Sequence, residues 1–160
     1  MKELNITTKI KVCQYQELTD SQKIIVDMAK EATNRSYAPY SGFFVGAAAE
    51  LANGEIVQGN NQENAAYPSG LCAERVTLFY AGSRYPDVAV SRLAIAARTA
   101  DGFVSGCAAP CGACRQVILE TEERGGAPIE ILLVGKDEIY IVESIKALLP
   151  LSFGKNELIQ

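Results

Sequence analysis

The sequence of 160 residues contains no histidine and no tryptophan. The absence of histidine excludes every catalytic triad or general base that needs an imidazole ring. It also restricts a zinc site to thiolate and carboxylate ligands. Five cysteines are present, an odd number in a chain with no sign of an oxidising compartment. Free thiols or metal ligands are therefore expected, rather than a disulfide framework.

Long apolar runs and clusters of positive charge are absent as well. No stretch reaches the roughly 18 apolar residues needed to span a bilayer, and the first ten residues lack the apolar core of a secretion signal. The net charge of -4, without a lysine-rich stripe, provides no electrostatic footprint for nucleic acid or an anionic membrane. We therefore expect a cytoplasmic protein whose partners are small molecules or other proteins.

The remaining composition is that of a globular protein with one core. Hydrophobic residues make up 48% of the chain and charged residues 21%, a balance typical of folded domains. We expect a single domain over residues 17–160, because a chain of this length suits one core. Residues 1–16 form an extension with a possible extra strand, since apolar residues alternate with polar ones between Ile6 and Val12.

Helical and strand-like segments alternate along the main domain. Thr19 and Gln22 have capping-box spacing before an apolar stripe of helical period, which predicts a first helix. The dipeptide Asn53-Gly54 joins two strand-like runs and predicts a hairpin with a type I′ turn.

Two more helices are predicted, each starting near a cysteine, and three more strands follow the hairpin. The helices begin near Cys72 and Cys111, and the strands lie in VAVSRLAIAA, PIEILLV and IYIVES. This order predicts an α/β fold of three layers, α/β/α, around a mixed sheet of about five strands, with an antiparallel first hairpin and parallel later strands. Ligands in such folds bind beyond the carboxyl ends of the strands, where helices begin.

The cysteines carry the strongest chemical signal. Cys111 and Cys114 lie three residues apart in the first turn of a predicted helix, so their sulfurs share one face. This pair alone fits a redox dithiol, half of a zinc site, or two small buried residues. Cys72 also opens a helix, and the layered fold can bring it to the same point. Three thiolates leave one zinc position open, as in catalytic sites, whereas a structural site would need a fourth sulfur from Cys107 or Cys13.

Two charged residues next to Cys72 favour the catalytic alternative. A carboxylate beside a zinc-activated water can take its proton and return it to the substrate, which is the role we expect for Glu74. Three thiolates and a zinc dication leave one net negative charge, which a guanidinium from Arg75 or Arg115 would offset. Taken without the cysteines, Glu74 and Arg75 would be ordinary helix-start and surface charges.

With these motifs the sequence resembles the zinc-dependent cytidine deaminases, specifically their short-chain homotetrameric class. The resemblance runs through YAPYSGFFVGAA, NGEIVQGNNQENAAYPSGLCAER, PCGACRQVI and LLPLSF. It implies hydrolytic deamination of cytidine, or of deoxycytidine, to uridine or deoxyuridine and ammonia, in pyrimidine salvage. A zinc hydroxide held by Cys72, Cys111 and Cys114 would act with Glu74 as the proton shuttle. It further implies one zinc per chain and no organic cofactor.

The resemblance also assigns residues to the substrate. Phe43 would stack on the pyrimidine ring, Asn61 and Glu63 would hold the ribose 3′-hydroxyl, and the backbone at Ala73 would meet the base.

Other assignments concern the homotetramer and the surroundings of the thiolates. In this class a neighbouring subunit completes each pocket, and Tyr67 and Phe153 are the expected contributors. Arg75 and Gln116 would contact the thiolate ligands rather than the metal and so stabilise them, Gln116 by hydrogen bonding.

Two departures from the family pattern and three alternatives remain at this point. The stretch FVSGCAAPCGAC is about four residues longer than is usual, which leaves the substrate range open, and the amino-terminal segment is also longer. It would cover a sheet edge or contact a neighbouring subunit. The alternatives are a deaminase of another aminated heterocycle or nucleoside antibiotic, a thiol-disulfide oxidoreductase, and a non-catalytic zinc-stapled module with four sulfur ligands.

Overall fold

The computed structural model describes residues 1–158, which form one mixed sheet and three α-helices. The elements in chain order are β1 (Lys11–Cys13), α1 (Asp20–Ala32), β2 (Phe44–Leu51), β3 (Ile56–Asn60), α2 (Ala73–Arg84), β4 (Val90–Thr99), β5 (Gly102–Phe103), α3 (Gly112–Gly125), β6 (Glu130–Val134) and β7 (Ile139–Val142). Short 3-10 turns lie at Tyr15–Glu17, Thr33–Arg35, Tyr67–Ser69, Ile145–Ala147 and Lys155–Glu157.

The sheet has seven strands in the order β1-β7-β6-β4-β2-β3, and β5 pairs with β4 outside this row. α1 packs on one face of the sheet, in a cluster that includes Ile25, Val26 and Ala29. α2 and α3 cover the other face, where Leu78 and Ile118 join the larger cluster. The predicted three-layer α/β/α class with a mixed sheet is confirmed; the two strands beyond the expected five are β1 and the two-residue β5.

The local signals explain where the elements begin. Thr19 caps α1 in the predicted capping box with Gln22, and the apolar stripe of α1 turns toward the sheet. Gly46 lets this helix approach β2 closely, because a Cβ at that position would lie 2.2 Å from the carbonyl oxygen of Ala29. In the same way a Cβ on Gly59 of β3 would lie 2.4 Å from Thr77 Oγ1 of α2.

The prediction that the later strands all run parallel is wrong for β7. β4 and β6 are parallel, with α3 between them in the chain, but β7 pairs antiparallel with β6. Only residues 135–138 connect β6 to β7, and so short a connection cannot make the crossover that parallel strands require.

Two local predictions also need correction. The hairpin at Asn53-Gly54 forms, but its turn is not type I′, because Gly54 has a φ of +86° whereas Asn53 has no positive φ. The Gly54 N–H instead donates to Leu51 O at 2.9 Å, which places Ala52 and Asn53 at the centre of the turn. At the amino terminus only β1 is a strand, and Ile6 and Ile10 are exposed and outside it.

The fold gathers several loops at one end of the sheet. β2 is antiparallel to both β3 and β4, so the carboxyl ends of β3 and β4 and the start of β2 lie at the same end of the sheet. α2 and α3 begin at this end, in accordance with the expected position of a ligand site. Within residues 1–158, no helix is both long and apolar enough to cross a membrane.

Candidate active site

The three predicted metal ligands come together at the starts of two helices. Cys72 is the N-cap of α2, Cys111 is the N-cap of α3, and Cys114 lies within the first turn of α3. Their sulfurs all lie within 4.8 Å of one another, and Cys111 Sγ is 3.5 Å from Cys114 Sγ. Neither N-cap sulfur accepts a capping hydrogen bond from a backbone N–H of its own helix. The thiols are therefore available to a ligand at the positive ends of two helix dipoles.

This geometry fits a tetrahedral zinc ion. Zn–S bonds of about 2.3 Å imply sulfur-to-sulfur distances of about 3.8 Å, within the range that the cluster spans. The other two cysteines lie elsewhere: Cys107 Sγ donates to Glu138 O at 3.4 Å and Cys13 Sγ to Ile139 O at 3.7 Å. Among residues 1–158, the cluster that could hold a metal therefore contains three sulfurs, as a catalytic site requires.

The electrostatics of the cluster favour the thiolate form of Cys72. A hydrogen bond from Cys114 and then the Arg75 guanidinium lower the pKa of Cys72 to about 5, against the opposing effect of burial. Arg75 Nη2 lies 3.6 Å from Cys72 Sγ. Arg75 is thus the cation that offsets the thiolate charge. Arg115 is engaged elsewhere, since it donates to Pro110 O at 2.9 Å and to Leu148 O at 2.7 Å.

Glu74 is a buried carboxyl beside the thiols. It is 5% exposed, at the second position of α2, two residues after Cys72. Burial is the main cause that raises its pKa, and the nearby Cys72 thiolate adds to this effect. A carboxyl with a raised pKa binds a proton more readily than an exposed one, which suits a group that takes up and returns a proton beside a metal site.

A pocket of about 620 Å³ opens onto this cluster. Cys72, Cys111, Glu74 and Arg75 lie in its wall. It is also lined by the side chains or backbone of five predicted substrate residues, namely Phe43, Asn61, Glu63, Tyr67 and Ala73. A volume of this size accommodates a small organic ligand.

Comparisons with known proteins agree with this geometry. The family profile described as "Cytidine and deoxycytidylate deaminase zinc-binding region" matches residues 19–125. A cytidine deaminase of Sporosarcina psychrophila is 41% identical over 140 residues, which cover 87% of this chain and 95% of that protein. The chain belongs to the zinc-dependent cytidine deaminases.

Other relatives extend this similarity to solved structures. A cytidine deaminase of Mycobacterium tuberculosis is 38% identical over 130 residues, or 81% of this chain and 87% of that protein. The crystal structure of a cytidine deaminase from Burkholderia pseudomallei matches with a TM-score of 0.71 and 36% identity, covering 85% of this chain and all of that one. The chain is thus a zinc-dependent hydrolase that binds one zinc ion, at Cys72, Cys111 and Cys114. The thiol-redox and four-sulfur alternatives are not favoured.

In this deaminase the two polar substrate candidates also order the pocket itself. The Asn61 amide accepts from the N–H of Val45 at 2.8 Å and donates to the carbonyl of Phe43 at 2.9 Å. One N–H and one lone pair of this amide remain for a ligand. Asn61 therefore also fixes the position of Phe43, which is 37% exposed at the pocket.

Glu63 binds the loop before β2. Its carboxylate accepts hydrogen bonds from the Tyr40 N–H at 2.9 Å and from the Ser41 N–H and hydroxyl. The Ser41 hydroxyl is the main cause that lowers the pKa of Glu63. Tyr40 and Ser41 line the pocket, although the sequence did not single them out. Their only signal was their place in the quoted stretch YAPYSGFF.

Three further residues lie in different positions relative to the pocket. Tyr67 lines the pocket of its own chain and packs edge to face on Tyr40, with ring centroids 6.2 Å apart. Ala73 lines it at the first position of α2, where a backbone N–H has no helical acceptor. Phe153 is 58% exposed and does not line this pocket. Gln116 donates to the Phe153 carbonyl at 2.8 Å, so its amide is directed to the carboxyl-terminal segment.

Proposed function

We propose that the chain converts cytidine, and deoxycytidine, to uridine or deoxyuridine and ammonia by hydrolysis, with Glu74 as the proton carrier. The observation that carries this proposal is the buried Glu74 carboxyl beside a cluster of three thiols, with Glu74, Cys72 and Cys111 in the wall of one pocket. Water is the co-substrate and no organic cofactor takes part.

The residues of the chain divide the chemistry between them. When bound, zinc lowers the pKa of a water molecule to about 7 and so supplies a nucleophile at neutral pH. Glu74 takes a proton from the attacking water and delivers it to N3 of the ring. After oxygen has added to C4, Glu74 takes the remaining proton from the new C4 hydroxyl and passes it to the exocyclic nitrogen, and the C4–N bond breaks to release ammonia as the C4 carbonyl forms. Arg75 keeps the thiolates from accumulating charge.

Other pocket residues bind and orient the nucleoside. We assign Phe43 to the face of the pyrimidine, the N–H of Ala73 to a polar atom of the base, and Asn61 and Glu63 to the ribose 3′-hydroxyl. Their positions in one pocket support these roles. Glu63 keeps a carboxylate oxygen near Ser41, so the ordering of the loop before β2 and sugar recognition would depend on one residue.

The proposal includes the organisation of the enzyme. Residues 17–160 form the deaminase domain and residues 1–16 an extension that adds β1 to the sheet. The active form is a homotetramer in which Phe153 of one subunit completes the pocket of the next, and its exposure supports this arrangement. The enzyme acts in pyrimidine salvage in the cytoplasm, where the three thiols of the site stay reduced.

The decisive experiment follows the ultraviolet spectrum of cytidine over time with zinc-loaded protein. The parent should convert cytidine to uridine. Glu74→Gln should keep one zinc per chain and lose at least about a hundredfold in kcat, because the ligands remain while the proton carrier is gone. Glu122→Gln is the matched control: Glu122 is also 5% exposed, but it accepts from Ser144 and Ile145 and lies outside the pocket. Full activity in Glu74→Gln would refute the assignment.

A further inference from the structure

The stretch before Pro110, which we expect from the sequence to be longer than is usual in the family, forms part of the pocket wall. We call residues 104–109, which join β5 to Pro110, the pocket loop. Its last two residues, Ala108 and Ala109, line the pocket. Ala109 is two residues before Cys111, so this part of the wall lies beside the thiol cluster, where the proposed reaction takes place.

The pocket loop is held by the turn between β6 and β7. The Lys136 N–H donates to the Val104 carbonyl at 2.8 Å, and the Cys107 thiol donates to the Glu138 carbonyl at 3.4 Å. The contact also requires glycine at position 135. A Cβ on Gly135 would lie 3.3 Å from Cys107 Sγ and 2.9 Å from the Glu138 carbonyl oxygen. The loop therefore rests directly on the backbone of the turn.

The Cys107 side chain is suited to this anchoring role. It is half-buried and packs against the core cluster beneath α2 and α3. Burial raises the pKa of the Cys107 thiol, so it remains a protonated hydrogen-bond donor at neutral pH. The site chemistry described above uses neither Cys107 nor Gly135.

We propose that the pocket loop limits the size of the group on the departing amine, and that Cys107 and Gly135 are positioning residues that set this limit. The inference rests on the proposed deamination. It concerns cytidines that carry an alkyl group on the exocyclic nitrogen. With N4-methylcytidine, water adds its oxygen to C4 and Glu74 carries the first water proton to N3 of the ring. The second proton passes from the new C4 hydroxyl through Glu74 to the exocyclic nitrogen, the C4–N bond breaks, and the products are uridine and methylamine.

The test compares kcat/KM for cytidine, N4-methylcytidine and 5-methylcytidine, with the inhibition constant where turnover is not detected. Cys107→Ala should loosen the wall and raise the N4-methylcytidine to cytidine ratio about threefold to tenfold, as expected for the loss of one hydrogen bond. Cys107→Ser, which keeps a donor, should stay near the parent. Gly135→Ala should also shift the ratio, because the loop or the turn must move. Zinc content should stay at one per chain, and the 5-methylcytidine ratio should not change.

Cys13→Ala is the matched control. Cys13 is also half-buried, and its thiol donates to the carbonyl of Ile139, the residue after the Glu138 that Cys107 contacts. Cys13 packs, however, against the cluster beneath α1 on the opposite face of the sheet. The inference would be overturned if the N4-methylcytidine to cytidine ratio were unchanged in Cys107→Ala and Gly135→Ala. It would also be overturned by an equal shift of this ratio in Cys13→Ala, or by a shift confined to 5-methylcytidine. Absence of cytidine turnover by the parent would overturn the proposed function instead. The same ratio would then be measured as equilibrium binding in the Glu74→Gln background.

Discussion

The carboxyl-terminal segment provides a test of how the subunits cooperate. Gln116 Nε2 donates to the Phe153 carbonyl at 2.8 Å, and the N–H of Lys155 reaches the Glu123 carboxylate at 3.3 Å, so α3 holds this segment in place. If Phe153 completes the pocket of a neighbouring subunit, Gln116 acts on that neighbour and not on its own thiolates. Gln116→Ala should then lower kcat/KM by about twofold to tenfold, because one net hydrogen bond contributes about 0.5–1.5 kcal/mol.

Mixed assemblies separate the two roles of Gln116. Chains with Gln116→Ala are co-assembled with an equal amount of Glu74→Gln chains, and cytidine turnover is followed in the ultraviolet. Half of the pockets keep Glu74, and half of these meet an intact neighbouring segment, so about a quarter of all pockets should be fully restored. Phe153→Ala should be rescued by the same partner to a similar level.

The refuting result is equally specific. If Gln116 supports the thiolates of its own chain, the mixture should show only about half of the activity of the Gln116→Ala enzyme, which is simple dilution by inactive chains. The same outcome for Phe153→Ala would place that residue in its own pocket or outside catalysis. Assembly is checked by analytical ultracentrifugation, in which a fully active monomer at assay concentration would contradict the homotetramer.

Further predictions concern the metal site and the packing beneath it. Gly59→Ala should lower stability by about 1–3 kcal/mol in chemical denaturation and reduce turnover, because a Cβ would lie 2.4 Å from Thr77 Oγ1 in the helix that carries Glu74. Gly106→Ala, with no atom within 4 Å of the new Cβ, should match the parent. Removal of zinc by a chelator should lower the melting temperature, and restoring zinc should recover it, since a ligand of the native state stabilises it. A melting temperature that does not respond would contradict the site. Cys72→Ser should lose zinc and cytidine turnover. If this variant kept thiol-disulfide exchange and the protein showed no other activity, the result would favour the redox alternative.

The sequence predicts the three-thiol cluster because each ligand is tied to a helix start. An N-cap position directs its side chain toward the end of the helix, and α2 and α3 begin at the same end of the sheet. Once Cys72, Cys111 and Cys114 converge, the position of Glu74 follows from the helical geometry. The fold class is predictable for a similar reason, since the order of strands and helices permits few layered arrangements.

Other features depend on contacts between distant segments and have no local signal. The direction of β7 is set by the length of its connection to β6, which is known only once the end of β6 is known. The partner of Gln116 is the carbonyl of Phe153, 37 residues away, and a backbone carbonyl carries no sequence signature. Ser41 binds Glu63 across 22 residues, through a loop whose path depends on β2 and β3.

The placement of the thiols on two separate helices has a consequence for the chain as a polymer. Cys72 and Cys111 are 39 residues apart in the sequence, and the segment between them contains α2 and the central strand β4. A metal ion held by both cysteines closes this segment into a ring. If the ion stayed bound in the unfolded chain, the ring would lower the conformational entropy of that chain. The thiols of the unfolded chain bind zinc less well than the folded site does, so zinc acts as a reversible cross-link that favours the folded core. The yield of folded protein should therefore increase with the supply of zinc.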